Sequence, residues 1–214
     1  MVEETDILKT GTTTVAIVCK DGALLCADRR VTSGYQVAYK KFEKVVKITD
    51  KIAVTVAGTV SDVQLLISLI KAELKLKSIR TGRENNVKEA VNLLKNMVYN
   101  NIRKFSLIPG ISHFIMGGVD DEGVHVYDIG ADGSTTEIDE YVSSGSGSVY
   151  ALGVLETLYK KDMPLEEGMK VGVKSINAAL QRDIASGNGI DMVSITNEGV
   201  KKVMSKAVNY SLEA

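Results

Sequence analysis

Alternation of apolar and polar positions dominates the first quarter of the chain and marks strands. Thr13 to Cys19 and Ala23 to Ala27 form a predicted hairpin across Asp21-Gly22, and Lys44 to Ile48 with Ile52 to Ala57 form a second across Thr49-Asp50-Lys51. The period then lengthens to that of a helix. Val63, Leu66, Ile67, Ile70 and Leu74 recur on one face up to about Ser78, and Ser61 and Asp62 offer N-cap chemistry. Thr81-Gly82-Arg83 interrupts the pattern. Val87, Ala90, Val91, Leu94, Val98 and Ile102 then draw the apolar face of a second helix, which Pro109-Gly110 closes. Strands return at Ser112 to Met116 and Val124 to Ile129, joined through Asp120-Asp121-Glu122-Gly123, and a further strand precedes Ser143. Two more helices follow, over roughly Ser148 to Lys160 and Leu165 to Ile184. A hairpin ends the pattern, Met192 to Ile195 and Val200 to Met204 across Asn197-Glu198-Gly199.

Strands, two helices, strands, two helices, strands: two helical pairs cannot cover one face of a single antiparallel sheet without leaving the other bare. The economical packing is α+β, a four-layer αββα sandwich of two stacked antiparallel sheets with a helix pair outside each. With 214 residues and no linker, repeat or low-complexity tract, one domain is expected.

Composition narrows the function classes. A net charge of -1 gives no electrostatic reason to expect nucleic acid or an anionic membrane as partner. No apolar run reaches the roughly 18 residues that span a bilayer. The first residues carry Glu3, Glu4 and Asp6 with no basic start and no apolar middle, unlike a secretory signal. Under the Asp21-Gly22 turn, Cys19 faces Leu24 and Cys26 faces Ile17. The two cysteines are then diagonal neighbours about 7 to 8 Å apart, too far for an unstrained disulfide. They read as small core residues of a reduced, cytoplasmic protein.

The candidate chemistry starts at Gly11-Thr12, where a short charged leader runs into Thr12-Thr13-Thr14 and an apolar strand. A threonine hydroxyl is a weak nucleophile without a base beside it. A cut after Gly11 would supply one, the new α-amino group of Thr12, with a reference pKa of about 8. Glycine before the threonine suits self-cleavage, because it tolerates a strained turn and leaves its carbonyl open to attack. Three further segments are chemically loaded. They are Asp28-Arg29-Arg30, which the first hairpin returns alongside the threonines; Lys44, just before Val45-Val46; and the small-residue loops Ser143 to Ser148 and Asp183 to Gly187. Each has a bland reading: Thr-rich strand starts are common, Asp28 and Arg30 suit a solvated edge pair, and Ser148 suits a helix cap. Other sites fare worse. A Ser-His-Asp triad has only His113 and His125 to draw on, both within strand patterns. No His/Cys cluster suits a metal, and the Gly145 to Gly153 stretch lacks the nucleotide-loop spacing.

Taken together the segments resemble the β-type, catalytic subunit of the archaeal-type 20S proteasome, a threonine peptidase of the N-terminal nucleophile hydrolase family. The carriers are Gly11-Thr12-Thr13-Thr14-Val15, Ala27-Asp28-Arg29-Arg30-Val31-Thr32, Lys44, Val56-Ala57-Gly58, Ser144-Gly145-Ser146-Gly147-Ser148, Gly153-Val154-Leu155-Glu156 and Gln181-Arg182-Asp183-Ile184-Ala185-Ser186-Gly187. The family fold is the αββα sandwich inferred above. The resemblance implies a propeptide of residues 1–11, removed by autocleavage between Gly11 and Thr12, and a single catalytic domain of residues 12–214. It makes Thr12 the nucleophile and Lys44 the essential lysine, with Asp28 the carboxylate that orients it. Ser146, Asp183 and Ser186 become the polar group around Thr12, and Gly58 supplies an oxyanion N–H. Val31, Phe42, Val46, Val56 and Val60 fall at the pocket positions, with Thr32 and Gly58 where the backbone pairs with an extended substrate. Phe42 stands where related archaeal sequences often carry a small residue.

The activity implied is a threonine endopeptidase acting on unfolded proteins, with no metal or other cofactor. The implied partners are β subunits in a seven-membered ring, α-type subunits in a four-ring barrel of twenty-eight chains, and an ATP-driven unfoldase. No nucleic acid or membrane is expected, and the location implied is the cytoplasm. The alternative is a non-catalytic structural ring subunit of the same barrel; α-type subunits share the fold but lack the threonine–lysine pairing. One geometric point stays open. The Asp21-Gly22 register sets Asp28 opposite Val15, on the sheet face away from Thr12, so either a bulge near Asp28 or twist at the strand end must re-aim it.

Overall fold

A computed structural model of the chain describes residues 11–208. Among the described residues there are twelve strands and four helices, and ten of the strands form two stacked five-stranded antiparallel sheets, each with a helix pair on its outer face. The first sheet has the order β10-β1-β2-β11-β12 and the second β5-β6-β7-β8-β9. In the first, β1 is Thr14–Cys19, β2 Gly22–Asp28, β10 Tyr141–Ser144, β11 Gly189–Thr196 and β12 Gly199–Ala207. In the second, β5 is Val45–Lys47, β6 Ile52–Gly58, β7 Ser112–Asp120, β8 Gly123–Ile129 and β9 Thr135–Glu137. A separate ribbon pairs β3 (Val31–Ser33) with β4 (Gln36–Tyr39). The helices are α1 (Val60–Thr81), α2 (Val87–Arg103), α3 (Ser148–Leu158) and α4 (Leu165–Arg182).

Three apolar layers follow from the strand period. Between the sheets lie Ala16, Ala23, Leu25 and Ala27 against Val45, Ala53, Ile115 and Val126. The alternate residues Val15, Ile17, Leu24 and Cys26 pack under α3 and α4 with Ala151, Leu155, Val171 and Ile176. On the far side Val54, Val56, Phe114 and Met116 meet the predicted faces of α1 and α2, including Val63, Leu66, Ile70, Leu74, Val91, Leu94 and Val98. Each such large side chain contributes about 1.5–3 kcal/mol by leaving water. Truncating Leu25, fully buried between the sheets, to alanine would cost about 2–5 kcal/mol.

The first hairpin differs from its sequence reading. Cys19 pairs with Gly22 and Ile17 with Leu24, so the turn is Lys20-Asp21 and not Asp21-Gly22. Gly22 is a strand residue whose missing Cβ makes room for a neighbour: a Cβ there would lie 2.3 Å from the Ile195 carbonyl oxygen at the end of β11. The shift sets Cys26 opposite Val15, four residues from Cys19 along the strand, or about 13 Å rather than a diagonal contact. Both cysteines are free and buried, and burial pushes the Cys19 thiol up to about 12.

Two predicted caps are also corrected. Thr59 precedes the first turn of α1 without a side-chain cap bond, and Gly147, not Ser148, stands before α3. At α2 a capping box does form, with Asn86 Oδ1 accepting from Glu89 N at 2.7 Å. Sequence reading missed β3, β4 and β9, each of three or four residues.

Pairing of the first sheet is what assembles the site. The β10–β1 ladder, Thr14 opposite Ser144, lays the Ser146 loop beside Thr12. The β2–β11 ladder, Ile190 opposite Asp28, lays the Asp183 to Asn188 loop beside Asp28. Helix α4 lies close enough to deliver Asp183 because Gly168 and Gly172 face the sheet. A Cβ on either would come within 2.5 and 2.9 Å of the Cys19 and Cys26 sulfurs.

Candidate active site

Asp28 ends β2 with no exposed surface, and its carboxylate accepts four hydrogen bonds. Oδ1 takes Lys44 Nζ at 2.7 Å and Thr13 N at 2.9 Å; Oδ2 takes Arg30 N and Gly187 N, each at 2.9 Å. These four donors replace the water that burial takes from the carboxylate. The β2–β11 ladder carries Asp28 opposite Ile190 without a register shift, and the β1–β2 ladder ends one residue earlier at Ala27 opposite Thr14, so no bulge is seen and Asp28 is aimed from the strand end. In the true register Asp28 N donates to Thr13 O at 3.1 Å.

Lys44, only 2% exposed, immediately precedes β5 and is held there as its carbonyl accepts from Val56 N at 2.9 Å. Its ammonium bridges Asp28 and the Gly11 carbonyl oxygen, the latter at 3.1 Å. Burial pushes the Lys44 pKa below the ordinary lysine value, and the Asp28 carboxylate opposes that shift.

Thr12 Oγ1 donates to the same Gly11 oxygen at 2.7 Å, and Thr12 N donates to Ser146 Oγ at 3.2 Å. Ser146 Oγ and Ser186 Oγ both donate to Asp183 Oδ2, at 2.7 and 2.6 Å. With its proton committed to Asp183, Ser186 accepts from Thr13 Oγ1 at 2.6 Å. A continuous polar chain therefore runs from the Thr12 nitrogen through Ser146, Asp183 and Ser186 to Thr13. Gly11, Thr12 and Lys44 form one wall of a cleft completed by Val31, Phe42, Val56, Ala57, Gly58, Val60 and Val63. Threonine hydroxyl, buried lysine–aspartate pair and apolar cleft converge on one peptide carbonyl.

The family described as "Proteasome subunit" matches residues 8–195 of this sequence. The chain belongs to the proteasome subunit family. Its relatives include the "Proteasome subunit beta" of Ferroglobus placidus, 41% identical over 95% of either chain. That of Methanocaldococcus fervens is 42% identical over 92% of this chain and 86% of its own. The "Proteasome subunit beta 2" of Pyrococcus abyssi is 40% identical over 94% of this chain and 95% of its own. By these likenesses the chain is a proteasome β subunit.

In this β subunit the six polar residues singled out from sequence, Thr12, Asp28, Lys44, Ser146, Asp183 and Ser186, fall in one hydrogen-bonded cluster. Ser146 contacts Thr12 directly, whereas Asp183 and Ser186 reach it through Ser146 and Thr13. Gly58 closes β6 at φ 118°, a conformation that disfavours any side chain. Of the pocket positions, Val31, Phe42, Val56 and Val60 line the cleft. Val46 does not; it packs half-buried against the core under α1 and α2. Thr32 contributes its hydroxyl, which accepts from Gly11 N at 3.2 Å. Asp28 is no solvated edge residue, and the two histidines pair elsewhere, His113 with Asp128 at 2.6 Å and His125 with Glu137 at 2.9 Å.

Sequence reasoning flagged the segments holding Thr13 and Arg30 but gave neither residue a role in the candidate site, and it missed Ala57 and Val63 as parts of the cleft. Arg30 clamps the loop that carries Asp183 and Ser186, donating from Nε to Asn188 Oδ1 at 2.9 Å and from a terminal nitrogen to Ile184 O at 2.7 Å. Arginine two residues after the buried aspartate was the available signal. Met1 to Thr10, most of the expected propeptide, lie outside the described residues. Among the described residues no helix is long and apolar enough to cross a membrane.

Proposed function

We propose that this β subunit is a threonine endopeptidase of the 20S proteasome core, formed when residues 1–11 are removed by self-cleavage and Thr12 becomes the terminal nucleophile. The observation that carries this reading is the Gly11–Thr12 peptide itself, whose carbonyl oxygen takes hydrogen bonds from both Thr12 Oγ1 and Lys44 Nζ.

In the self-cleavage step Thr12 Oγ attacks the Gly11 carbonyl carbon and the C–N bond breaks. The hydroxyl proton ends on the Thr12 nitrogen, leaving a Gly11 ester on a free amine. Water opens the ester to a Gly11 carboxylate and the Thr12 hydroxyl. The freed amine, beside Ser146, then takes the Oγ proton when Oγ attacks a substrate carbonyl. The Lys44 ammonium favours the neutral, accepting form of that amine. The Gly58 N–H receives the developing oxyanion, an interaction worth about 3 to 4 kcal/mol, and water hydrolyses the acyl ester.

A purely structural ring subunit has no use for a buried lysine–aspartate pair aimed at a peptide carbonyl, so the catalytic reading is preferred. Seven-membered β rings, flanking α-type rings, an ATP-driven unfoldase, unfolded protein substrates and a cytoplasmic location belong to the same proposal. Intact mass of the full chain before and after assembly with α-type subunits tests it. The expected product begins at Thr12, while Thr12→Ala stays full length and inactive and Thr12→Ser still processes. If assembled Thr12→Ala is cut after Gly11 with no other protease present, self-cleavage is wrong.

A further inference from the structure

We infer that the Thr32 hydroxyl is a positioning group for self-cleavage, holding the peptide plane ahead of the scissile bond. It rests on the self-cleavage reading above and adds a residue whose side chain that reading does not use.

Gly11 is gripped on three sides. Its N–H donates to Thr32 Oγ1 at 3.2 Å, and its carbonyl oxygen accepts from Lys44 Nζ at 3.1 Å. Its Cα faces Ala185 so closely that a Cβ would fall 1.6 Å from the Ala185 Cβ. A glycine has soft backbone torsions and does not orient its own carbonyl. External contacts must do so, and the two hydrogen bonds at opposite ends of the residue fix how it presents its carbonyl to Thr12 Oγ1. Orientation of this kind is what converts proximity into rate.

Thr32 is suited to the task. It is 5% exposed and is held in the β3–β4 ribbon opposite Val37, next to the register shift between Val31 and Thr32. The strand-addition mode proposed for substrates uses the main chain of Thr32, whereas the bond to Gly11 uses its hydroxyl. Valine at this position keeps the shape and the main chain while deleting the acceptor, so the two roles separate.

The experiment assembles full-length wild type, Thr32→Val and Thr32→Ser with α-type subunits and follows the loss of residues 1–11 by intact mass. In parallel, peptidase rates are measured on particles whose β chain is produced already starting at Thr12. Loss of one neutral hydrogen bond predicts self-cleavage about three- to tenfold slower in Thr32→Val. Thr32→Ser should process at the wild-type rate. The processing defect of Thr32→Val should exceed its peptidase defect by at least about threefold, since only processing uses the Gly11 N–H. Equal rates for Thr32→Val and wild type overturn the inference. So do equal losses of processing and peptidase activity, which would mark Thr32 as support for the whole site. Wild type that assembles yet is never cut after Gly11 removes the self-cleavage reading itself, and this inference with it.

Discussion

The Arg30 guanidinium lies directly over Gly187: a Cβ added to that glycine would sit 2.2 Å from Arg30 Cζ. The arginine's bonds to Asn188 and Ile184 thus depend on a residue with no side chain between them. Gly187→Ala should push the arginine off, loosen the loop bearing Asp183 and Ser186, and destabilise the fold by about 1–3 kcal/mol. Thermal melting of the assembled particle and its peptidase rate should both fall. A melting temperature equal to wild type would show that the arginine moves aside at no cost.

Lys44 couples pH to self-cleavage. Burial lowers its pKa against the pull of Asp28, so the ammonium that donates to the Gly11 carbonyl is present on the acid side of that lowered pKa and lost above it. The processing rate of assembled precursor should therefore decline with rising pH earlier than an ordinary lysine would titrate. Lys44→Ala should abolish processing at every pH. It should also cost about 3–5 kcal/mol in stability by leaving the buried Asp28 carboxylate without its cation. Chemical denaturation together with intact mass across a pH series checks both effects, and a rate flat into the lysine range would remove the lysine from the step.

Gly11→Ala should block cleavage through its collision with Ala185 rather than through any change in chemistry. Ala185→Gly removes the nearest atom it strikes but leaves the residue's Cα at 2.7 Å, so the double variant should recover only part of the processing rate. Intact mass on the two single variants and the double gives the coupling; no recovery in the double would mean the methyl acts elsewhere.

Cleavage should follow apolar residues. Val31, Phe42, Val56, Val60 and Val63 line the cleft beside Thr12, and an unpaired charge buried among them would cost several kcal/mol. Fluorogenic peptides ending in Leu or Tyr should turn over faster than those ending in Arg or Glu. Phe42→Ala should raise the Tyr rate relative to Leu, and an unchanged ratio would show that Phe42 does not bound the substrate side chain.

The layered architecture was legible in the sequence because burial imposes a period. Val63, Leu66, Ile70 and Leu74 on α1, and Val87, Ala90, Val91, Leu94 and Val98 on α2, lie in the core as their spacing dictates. The six polar site residues were legible through local motifs and family resemblance, not through spacing, since Ser146 and Asp183 stand 37 positions apart. Only the pairing of β10 with β1 and of β2 with β11 brings their loops to Thr12.

The register of the first hairpin was beyond local reading. Gly22 looks like a turn glycine, but its place is decided by the Ile195 carbonyl on a strand more than 170 residues away. The roles of Thr13, Arg30 and Thr32 were hidden for the same reason: each is defined by a partner on another segment, Ser186, Asn188 and Gly11. Hydrophobic periodicity is a property of neighbouring residues and is written along the chain. Hydrogen-bond partners and steric gaps belong to pairs of segments, and exist only once the sheets have stacked.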